Sequence, residues 1–268
     1  MEKGKLLGSG ATAQVYEWGT DRILKLYFEK YSTNEQLNHE LAVGRIVHEC
    51  GIHTPAIYDT VEVDGRKGII YERIYGKSVY ERLMEEPWNL YCYIKKMAVL
   101  QQSIHKFSAI GLPTQLERFT GSINISSGIL GQRVKKILEY TEGLPNGSSI
   151  CHGDLYFSNI ILSGEKFVPV DWNGAYIGNP LSDVARSGIV FCSPAVPSEF
   201  PGEYAIFYYY PKWVSYWVYI NEYIKLSKVK KEDIDTWQLP VAAARLKDNI
   251  PGEKNWLMDI IDNCLMQI

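Results

Sequence analysis

The sequence predicts an α+β fold, in which a small antiparallel sheet with one helix precedes a larger and mainly helical part. The first 74 residues contain short apolar runs separated by turn signals at residues 19–21 and 64–65, a pattern typical of hairpins. Between these runs, apolar side chains recur at helical spacing and stop before Gly51. From Ser78 onward the spacing is mostly helical. We therefore expect two lobes, 1–74 and 75–268, with a connector near residues 71–76.

The individual elements follow from the same patterns. The five strands of the first lobe are predicted at residues 5–10, 13–19, 22–28, 56–63 and 67–74, and its helix at 33–50. In the second lobe, long helices are predicted at 88–110 and 129–142. NIILS at 159–163 and KFVPVD at 166–171 flank a Ser-Gly turn and predict a hairpin. After Pro180, helices are expected to continue to the C terminus.

Composition argues against several classes of protein. The 268 residues carry a net charge of −3 with both signs spread along the chain, so a nucleic-acid interface is not expected. Five cysteines without a CxxC pair indicate free thiols in a reducing compartment. The first ten residues lack the apolar core of a signal peptide, and the most apolar segment, 205–220, contains Pro211 and Lys212. We expect a cytoplasmic protein without a membrane partner.

The pattern that indicates chemistry is CHGDLYFSNIIL at residues 151–162, followed by VPVDWNGA at 168–175. Taken singly, Asp154, Asn159 and Asp171 have ordinary structural explanations as a helix cap, a turn residue and a hairpin end. Taken together they favour a site, because a hairpin would bring Asn159 near Asp171, with Asp154 across from them. Three oxygen-bearing side chains in one cleft suit Mg²⁺, which prefers oxygen ligands and retains substrate phosphates.

HGDLYFSN, VDWNGA and GNPLSDVA together resemble the catalytic core of the aminoglycoside phosphotransferase and choline kinase-like family, a relative of the protein kinases. The resemblance extends in order over about residues 5–190 and implies a bilobal protein kinase-like fold. It implies that Asp154 is the catalytic base and that Asn159 and Asp171 hold Mg²⁺. These roles suit phosphoryl transfer, which depends mainly on positioning and on charge neutralisation.

The first lobe contains the matching nucleotide elements. LLGSGATAQVY at residues 6–16 resembles the kinase nucleotide loop, although Ala13 stands where the third glycine would be. The resemblance implies that Lys25 contacts the phosphates and that Glu40 pairs with it; a strand-edge charge and a solvated helix face are the structural alternatives. Main-chain groups at residues 72–74 would bind the adenine edge, so ATP and GTP both remain open. The implied nucleotide-binding residues are Gly8, Ser9, Gly10, Val15, Lys25, Glu40, Glu72 and Ile74.

Two features favour a small-molecule kinase over a protein kinase. Protein kinases have an arginine before the catalytic aspartate, where this chain has Gly153. They also extend a long activation segment after the metal-binding aspartate, whereas GNPLSD follows Asp171 almost at once. We therefore expect ATP or GTP, with Mg²⁺, to phosphorylate a hydroxyl of a small acceptor. The alternatives are a nucleotide-binding pseudokinase scaffold and an atypical protein kinase.

The acceptor pocket is expected in the C-terminal part of the chain. The family resemblance suggests an amine-bearing acceptor such as an aminoglycoside or an amino alcohol, and the scattered acids after Leu181 are compatible with one. Trp213, Trp217 and Ile220 share a helical face, which we interpret as core packing. The alternative is an aromatic box that binds an amine through cation–π contacts, to which further aromatics could contribute: Tyr208, Tyr209, Tyr210, Tyr216, Tyr219 and Tyr223.

Three other polar residues are expected to support the site. The resemblance implies that Asp183 braces the catalytic loop through backbone amides. His152 is interpreted as a hydrogen-bonded scaffold residue, because Asp154 is better placed to act as the base. His105 is interpreted as a packing residue of a helix.

Overall fold

The computed structural model of the protein describes residues 3–195 and 205–268, the second range with side chains from residue 212 onward. The first lobe is a five-stranded antiparallel sheet in the order β1-β2-β3-β5-β4. Its elements are β1 (Leu6–Ser9), β2 (Ala13–Glu17), β3 (Arg22–Tyr27), α1 (Asn34–Glu49), β4 (Ile57–Val63) and β5 (Arg66–Glu72). The predicted five strands and single helix are confirmed, and the division of the lobes at residue 74 stays a prediction.

The register of the sheet places the nucleotide elements side by side. Val15 on β2 is paired with Gly8 on β1 and with Lys25 on β3. Helix α1 begins at a Thr33 cap, whose hydroxyl accepts a hydrogen bond from the backbone N–H of Gln36 at 3.1 Å, as expected for an N-cap. It ends before Gly51, which has the left-handed φ of +87° that glycine tolerates. The strand register therefore places Lys25 beside Val15, and the cap and Gly51 set where α1 begins and ends.

The second lobe is mainly helical, and its described residues, 75–195 and 205–268, contain five short strands. Its strands are β6 (Lys77–Ser78), β7 (Ser149–Cys151), β8 (Ile160–Ser163), β9 (Lys166–Pro169) and β10 (Tyr176–Gly178). Its helices are α2 (Val79–Glu85), α3 (Leu90–Ile104), α4 (Gln115–Ile125), α5 (Ser127–Leu130), α6 (Arg133–Glu142), α7 (Pro180–Cys192), α8 (Ala205–Ser227), α9 (Lys231–Asp235), α10 (Gln238–Arg245) and α11 (Lys254–Leu265). The predicted hairpin is confirmed as β8 paired with β9.

One continuous core joins α1 to the second lobe. Val43 and Val47 on α1 are fully or almost fully buried, in the same cluster as Ile94 and Met97 on α3. Burial of aliphatic side chains of this size contributes about 1.5–3 kcal/mol each. The helix that carries Glu40 is therefore anchored to the helical lobe as well as to the sheet.

Two predicted helices are wrong in their extent. The helix predicted at 88–110 runs only from Leu90 to Ile104 and is followed by a turn at residues 105–106. The helix predicted at 129–142 is divided into α5 and α6 near Gly131, whose φ is +58°. Left-handed backbone cannot continue an α-helix. Helix α4 has no counterpart among the predicted elements.

The interpretation of the α8 tryptophans as core residues is wrong. Trp213 and Trp217 are 68% and 62% exposed, whereas Ile220 is buried. The buried face of α8 is centred on Tyr219 and Tyr223, and Ile220 lies at its edge, so the tryptophans fall outside it. Tyr208, Tyr209 and Tyr210 lie outside the described side chains.

Within the described residues, none of the helices is both long enough and apolar enough to span a bilayer. The expected cytoplasmic location stays a prediction.

A methyl group added to the connector should destabilise the protein. In Gly76→Ala, the Cβ would lie 2.2 Å from the carbonyl oxygen of Leu162 on β8, and backbone cannot yield at that distance. We expect the free energy of unfolding to fall by about 1–3 kcal/mol, measured by urea denaturation. As a control, Gly121→Ala on α4 meets nothing within 4 Å and should stabilise the protein by up to about 1 kcal/mol. A Gly76→Ala variant as stable as the wild type would contradict the packing described here.

Candidate active site

The catalytic loop His152-Gly153-Asp154 follows β7 and is held by Asp183, in the first turn of α7. One Asp183 oxygen accepts hydrogen bonds from the backbone N–H of His152 (3.0 Å) and from Gln101 Nε2 (2.9 Å), and the other accepts one from the N–H of Gly153 at 2.7 Å. His105 Nε2 lies 3.0 Å from the first oxygen. The predicted brace through backbone amides is confirmed.

The charge of Asp183 is stabilised although the side chain is fully buried. Burial alone would raise its pKa, but the hydrogen bonds from His105 and Gln101 outweigh burial and lower the pKa to about 2. His105, interpreted from the sequence as a packing residue, is buried and also lies 2.7 Å from the hydroxyl of Tyr223. Its ring therefore links α3 to α7 and α8 through polar contacts as well as packing.

Gly153 occupies a position that excludes a side chain. Its φ is +78°, and a Cβ there would lie 2.1 Å from the carbonyl oxygen of Gly174. An arginine at this position, as in protein kinases, would require the backbone at Gly174 to move. The neighbouring His152 is fully buried, its Nε2 lies 3.1 Å from the carbonyl oxygen of Val170, and its ring stacks on Trp172. Burial lowers the pKa of His152, so the ring is neutral at neutral pH and acts as a scaffold, as predicted.

The hairpin brings the three predicted oxygen-bearing residues into one region. Asn159 Nδ2 donates to the Asp154 backbone oxygen at 2.9 Å and to Asp154 Oδ2 at 3.3 Å. The backbone N–H of Val170 donates to the Asn159 carbonyl at 2.9 Å, so the residue directly before Asp171 is bonded to Asn159. The Asp154 side chain is 47% exposed, and its Oδ1 accepts a hydrogen bond from Arg186 Nη2 at 3.0 Å.

Asp171 has a left-handed backbone, with a φ of +61°, a conformation that costs non-glycine residues about 1 kcal/mol or more. Two side chains hold it there. Lys25 Nζ lies 3.1 Å from Asp171 Oδ1, and Asn173 Nδ2 donates to the same oxygen at 3.0 Å. The conformation directs this carboxylate toward β3 of the first lobe.

Glu40 is 4% exposed and receives four hydrogen bonds. Lys25 Nζ (2.7 Å) and the Tyr71 hydroxyl (2.6 Å) donate to Oε1, whereas Asn173 Nδ2 (2.6 Å) and the Tyr27 hydroxyl donate to Oε2. Burial alone would lower the pKa of Lys25, but the carboxylates of Asp171 and Glu40 outweigh it and raise the pKa above its usual value. Lys25 is therefore a fixed cation, and the predicted Lys25–Glu40 pair is present.

The residues proposed as metal ligands retain suitable oxygens. Asn159 uses its Nδ2 on Asp154, which leaves Oδ1 for a ligand, and no hydrogen bond from the described residues reaches that atom. Asp171 engages Lys25 and Asn173 through Oδ1, which leaves Oδ2. An amide oxygen and a carboxylate oxygen are hard donors of the kind that Mg²⁺ prefers. The donor set therefore fits magnesium.

The remaining nucleotide-binding candidates lie in the β1–β2 hairpin and the connector. Gly8, Ser9 and Gly10 are exposed, so their backbone is accessible to a phosphate. In the connector, the N–H of Glu72 donates to Ala56. The N–H of Ile74 has no hydrogen bond to the described part of the chain and is the better candidate to bind the adenine edge.

Several residues of the site were not found by sequence reasoning. Three of them surround Glu40: Tyr27, Tyr71 and Asn173. For Asn173 alone the sequence offered a signal, its position two residues after Asp171. Arg186 lies one helical turn after Asp183 on α7, which places it on the same side of the helix.

Comparison with known proteins agrees with this geometry. A model of the phosphotransferase enzyme family matches residues 3–213 of the chain. The chain belongs to the phosphotransferase enzyme family. It is accordingly a phosphotransferase, and the family predicted from the sequence is confirmed. A search of curated protein sequences finds no match.

Solved structures of phosphotransferases share its fold. An aminoglycoside 3'-phosphotransferase of type VIII has a TM-score of 0.60 at 15% identity, covering 91% of this chain and 93% of that one. The GDP complex of aminoglycoside 2'-phosphotransferase IIIa has a TM-score of 0.53 at 12% identity, covering 98% and 92%. Choline kinase from Cryptosporidium parvum has a TM-score of 0.50 at 15% identity, covering 97% and 83%. The predicted bilobal kinase-like fold is confirmed.

Removal of the Asp183 carboxylate should destabilise this phosphotransferase strongly. Asp183→Ala leaves the buried N–H groups of His152 and Gly153 without an acceptor, and each such group costs about 1–3 kcal/mol. We expect the free energy of unfolding to fall by about 2–5 kcal/mol, measured by urea denaturation. As a matched control, Asp262→Ala removes a half-exposed partner of Arg133 and should cost no more than about 1 kcal/mol. Equal losses of unfolding free energy in the two variants would show that the hydrogen bonds of Asp183 do not stabilise the loop.

Proposed function

We propose that this enzyme transfers the γ-phosphoryl group of ATP to a hydroxyl of a small acceptor, with Mg²⁺ as the metal ion. The observation that supports it most is the convergence of the predicted residues: Asp154 contacts Asn159, the β8–β9 hairpin joins Asn159 to Asp171, and Asp171 contacts Lys25. Phosphoryl transfer requires this combination of a fixed cation, hard oxygen donors and a carboxylate base.

Lys25 would bind the α- and β-phosphates, held in place by Glu40, while Gly8, Ser9, Gly10 and Val15 would cover the triphosphate. The connector would bind the base through main-chain atoms, with Ile74 N–H as its free donor. Main-chain recognition leaves GTP as an alternative nucleotide, and a related aminoglycoside 2'-phosphotransferase has been solved with GDP.

Asp154 would orient the acceptor hydroxyl and remove its proton. Its Oδ1 is committed to Arg186 at 3.0 Å, whereas Oδ2 accepts only the 3.3 Å hydrogen bond from Asn159 among the described residues. Oδ2 is thus the oxygen that would receive the proton as the acceptor oxygen bonds to the γ-phosphorus and the bond from that phosphorus to the β–γ bridging oxygen breaks. The acceptor leaves as a phosphate monoester and the nucleotide as ADP.

Asn159 Oδ1 and Asp171 Oδ2 are the atoms that would hold the metal. When bound, Mg²⁺ neutralises charge on the phosphate oxygens. The left-handed backbone of Asp171 and its hydrogen bond from Asn173 orient the carboxylate before any nucleotide arrives, which is the preorganisation that electrostatic catalysis requires.

A small acceptor is favoured over a protein. The chain runs from Asp171 to the start of α7 at Pro180 through only β10 and a short turn, which leaves no activation segment to bind a peptide. In protein kinases, an arginine before the catalytic aspartate reads a phosphorylated activation segment. The enclosed backbone at Gly153 leaves no room for that side chain. The amine-bearing acceptor expected from the sequence, such as an aminoglycoside or an amino alcohol, stays a prediction.

Incubation of the purified protein with Mg²⁺ and ATP or GTP, against sugars, amino alcohols, aminoglycosides and casein, tests the proposal. We expect ADP or GDP formation to depend on a small acceptor. Transfer to casein alone would instead support an atypical protein kinase, and nucleotide binding without transfer to any acceptor would support a pseudokinase scaffold.

Loss of the Asp154 carboxylate should reduce turnover while leaving nucleotide binding intact. For Asp154→Ala we expect kcat to fall by roughly 10²- to 10⁴-fold, the usual contribution of a general base, with the Kd of ATP unchanged by calorimetry. Asp259→Ala, an exposed aspartate on α11, is the matched control and should retain wild-type kcat. An Asp154→Ala enzyme with wild-type turnover would remove Asp154 from this role.

Asp171→Asn should uncouple nucleotide binding from the metal. Asparagine tolerates left-handed backbone and keeps the shape of the side chain, so the change removes mainly the charge. We expect the wild type to bind ADP more tightly with Mg²⁺ than without it, and the variant to lose this difference. A variant that keeps the full metal-dependent gain in affinity would show that the ligand lies elsewhere.

A further inference from the structure

A cleft beside the catalytic loop is lined by more cations than acids. It has a volume of about 350 Å³, part of it open to solvent, and lies between α4, α7, the end of α10 and Gly153. Its charged lining residues are Arg118, Arg186, Lys247 and Asp248. We call it the basic cleft. No residue of the nucleotide or metal site described above lines it.

The carboxylates near the basic cleft are already engaged by one arginine. Arg186 Nη2 donates to Asp154 Oδ1 at 3.0 Å and to Asp248 Oδ2 at 2.7 Å. The Nε of the same guanidinium is buried without a hydrogen-bond partner among the described residues. A buried donor without a partner costs free energy, so Arg186 can still accommodate an acceptor atom.

The other two cations, Arg118 and Lys247, form no ion pair with the described residues, although the carboxylates of Asp248 and Asp154 are near enough to raise the pKa of both. Within the described part of the chain, the side chains of Arg118 and Lys247 make neither a hydrogen bond nor an ion pair, although both are partly buried. Burial and the positive charge of Arg118 lower the pKa of Lys247 to about 8. Burial and the charge of Arg186 lower the pKa of Arg118. Cations that repel one another in a partly desolvated cleft are stabilised when an anion binds between them.

We propose that the basic cleft binds an oxyanion group, a carboxylate or a phosphate, on the same small acceptor whose hydroxyl is presented to Asp154. The inference rests on the proposed function, since it places the acceptor on the Asp154 side of the site. Arg186 links the two, because one of its nitrogens contacts both Asp154 and Asp248. Guanidinium groups match the oxyanion geometry of carboxylates and phosphates.

The chemical class of the acceptor follows from this charge distribution. A hydroxy acid or a sugar phosphate would satisfy Arg118 and Lys247, whereas a polycation would add positive charge to a surface where cations already exceed acids. The charge of this wall therefore does not suit a polycationic acceptor such as an aminoglycoside.

Matched acceptors test the class directly. With Mg²⁺ and ATP, we would measure kcat/KM for neutral, carboxylate, phosphate and ammonium members of two series: glycerol, glycerate, glycerol 3-phosphate and 2-aminoethanol; glucose, gluconate, glucose 6-phosphate and glucosamine. We expect the carboxylate or the phosphate member to have the highest kcat/KM, and which of the two it is identifies the oxyanion. Highest activity with the neutral or the ammonium member would overturn the proposal.

Substitution of one cation tests whether the basic cleft makes the contact. For Lys247→Gln and Arg118→Gln, we expect KM for the preferred anionic acceptor to rise about 10- to 100-fold, as for loss of a hydrogen bond between charged groups. An unchanged KM for ATP would show that each variant is folded. Lys254→Gln, an exposed lysine at the start of α11, should leave all parameters unchanged. An unchanged KM for the anionic acceptor in both cleft variants would contradict the proposal.

Anion binding separates this inference from the proposed function, because it needs no turnover. Sulfate, which does not titrate near neutral pH, would be titrated calorimetrically into the full chain saturated with MgADP. Its affinity should fall as pH rises through about 8, since Lys247, which faces Arg118, Arg186, Asp154 and Asp248, loses its proton there. Lys247→Gln should weaken binding about tenfold or more and remove this pH dependence.

The combined results are decisive. Sulfate binding that depends on Lys247, together with no phosphoryl transfer to any acceptor, would support the basic cleft and overturn the proposed function. Phosphoryl transfer without sulfate binding would support the proposed function and overturn the proposal that the basic cleft binds an anion.

Discussion

The ion pair between Lys25 and Asp171 is the contact on which the rest of the site depends. Its two atoms lie 3.1 Å apart and join a strand of the sheet to the end of a hairpin in the helical lobe. Lys25 is partly buried, and a buried cation is stable only beside compensating charge, which Glu40 also supplies. Because α1 carries Glu40 and packs Val43 and Val47, on the same face, into the second lobe, the cation, the acid and both lobes form one connected unit.

Left-handed backbone in two loops of the candidate active site is stabilised by what surrounds it. Gly153 and Asp171 both have left-handed φ angles, and Asp183 and Asn173 supply the hydrogen bonds that hold the loops that contain them. Such conformations persist only where neighbouring contacts determine them. The Asp154 carboxylate proposed as the base and the two oxygens proposed for the metal are thus held in position by other groups, which would leave little reorganisation for phosphoryl transfer.

The sequence predicted what short-range patterns determine. Strand alternation, turn signals and the HGDLYFSN spacing predicted the sheet, the hairpin and the relation of Asp154, Asn159 and Asp171. The basic cleft could not be predicted, because Arg118, Arg186 and Lys247 are far apart in the chain and are brought together only by the packing of α4, α7 and α10. The tryptophans of α8 were misplaced for a related reason: helical periodicity shows which residues share a face, but not which face the neighbouring helices cover.

The central claim is that a divalent cation binds between Asn159 and Asp171, opposite Asp154. The most direct measurement is anomalous diffraction from crystals grown with ADP and Mn²⁺, a close substitute for Mg²⁺ whose scattering identifies it without ambiguity. We expect an anomalous peak at about 2.0–2.1 Å, the octahedral Mg²⁺–oxygen distance, from Asn159 Oδ1 and an Asp171 carboxylate oxygen. Crystals that contain bound ADP but show the Mn²⁺ peak elsewhere, or show no Mn²⁺ peak, would contradict this metal site.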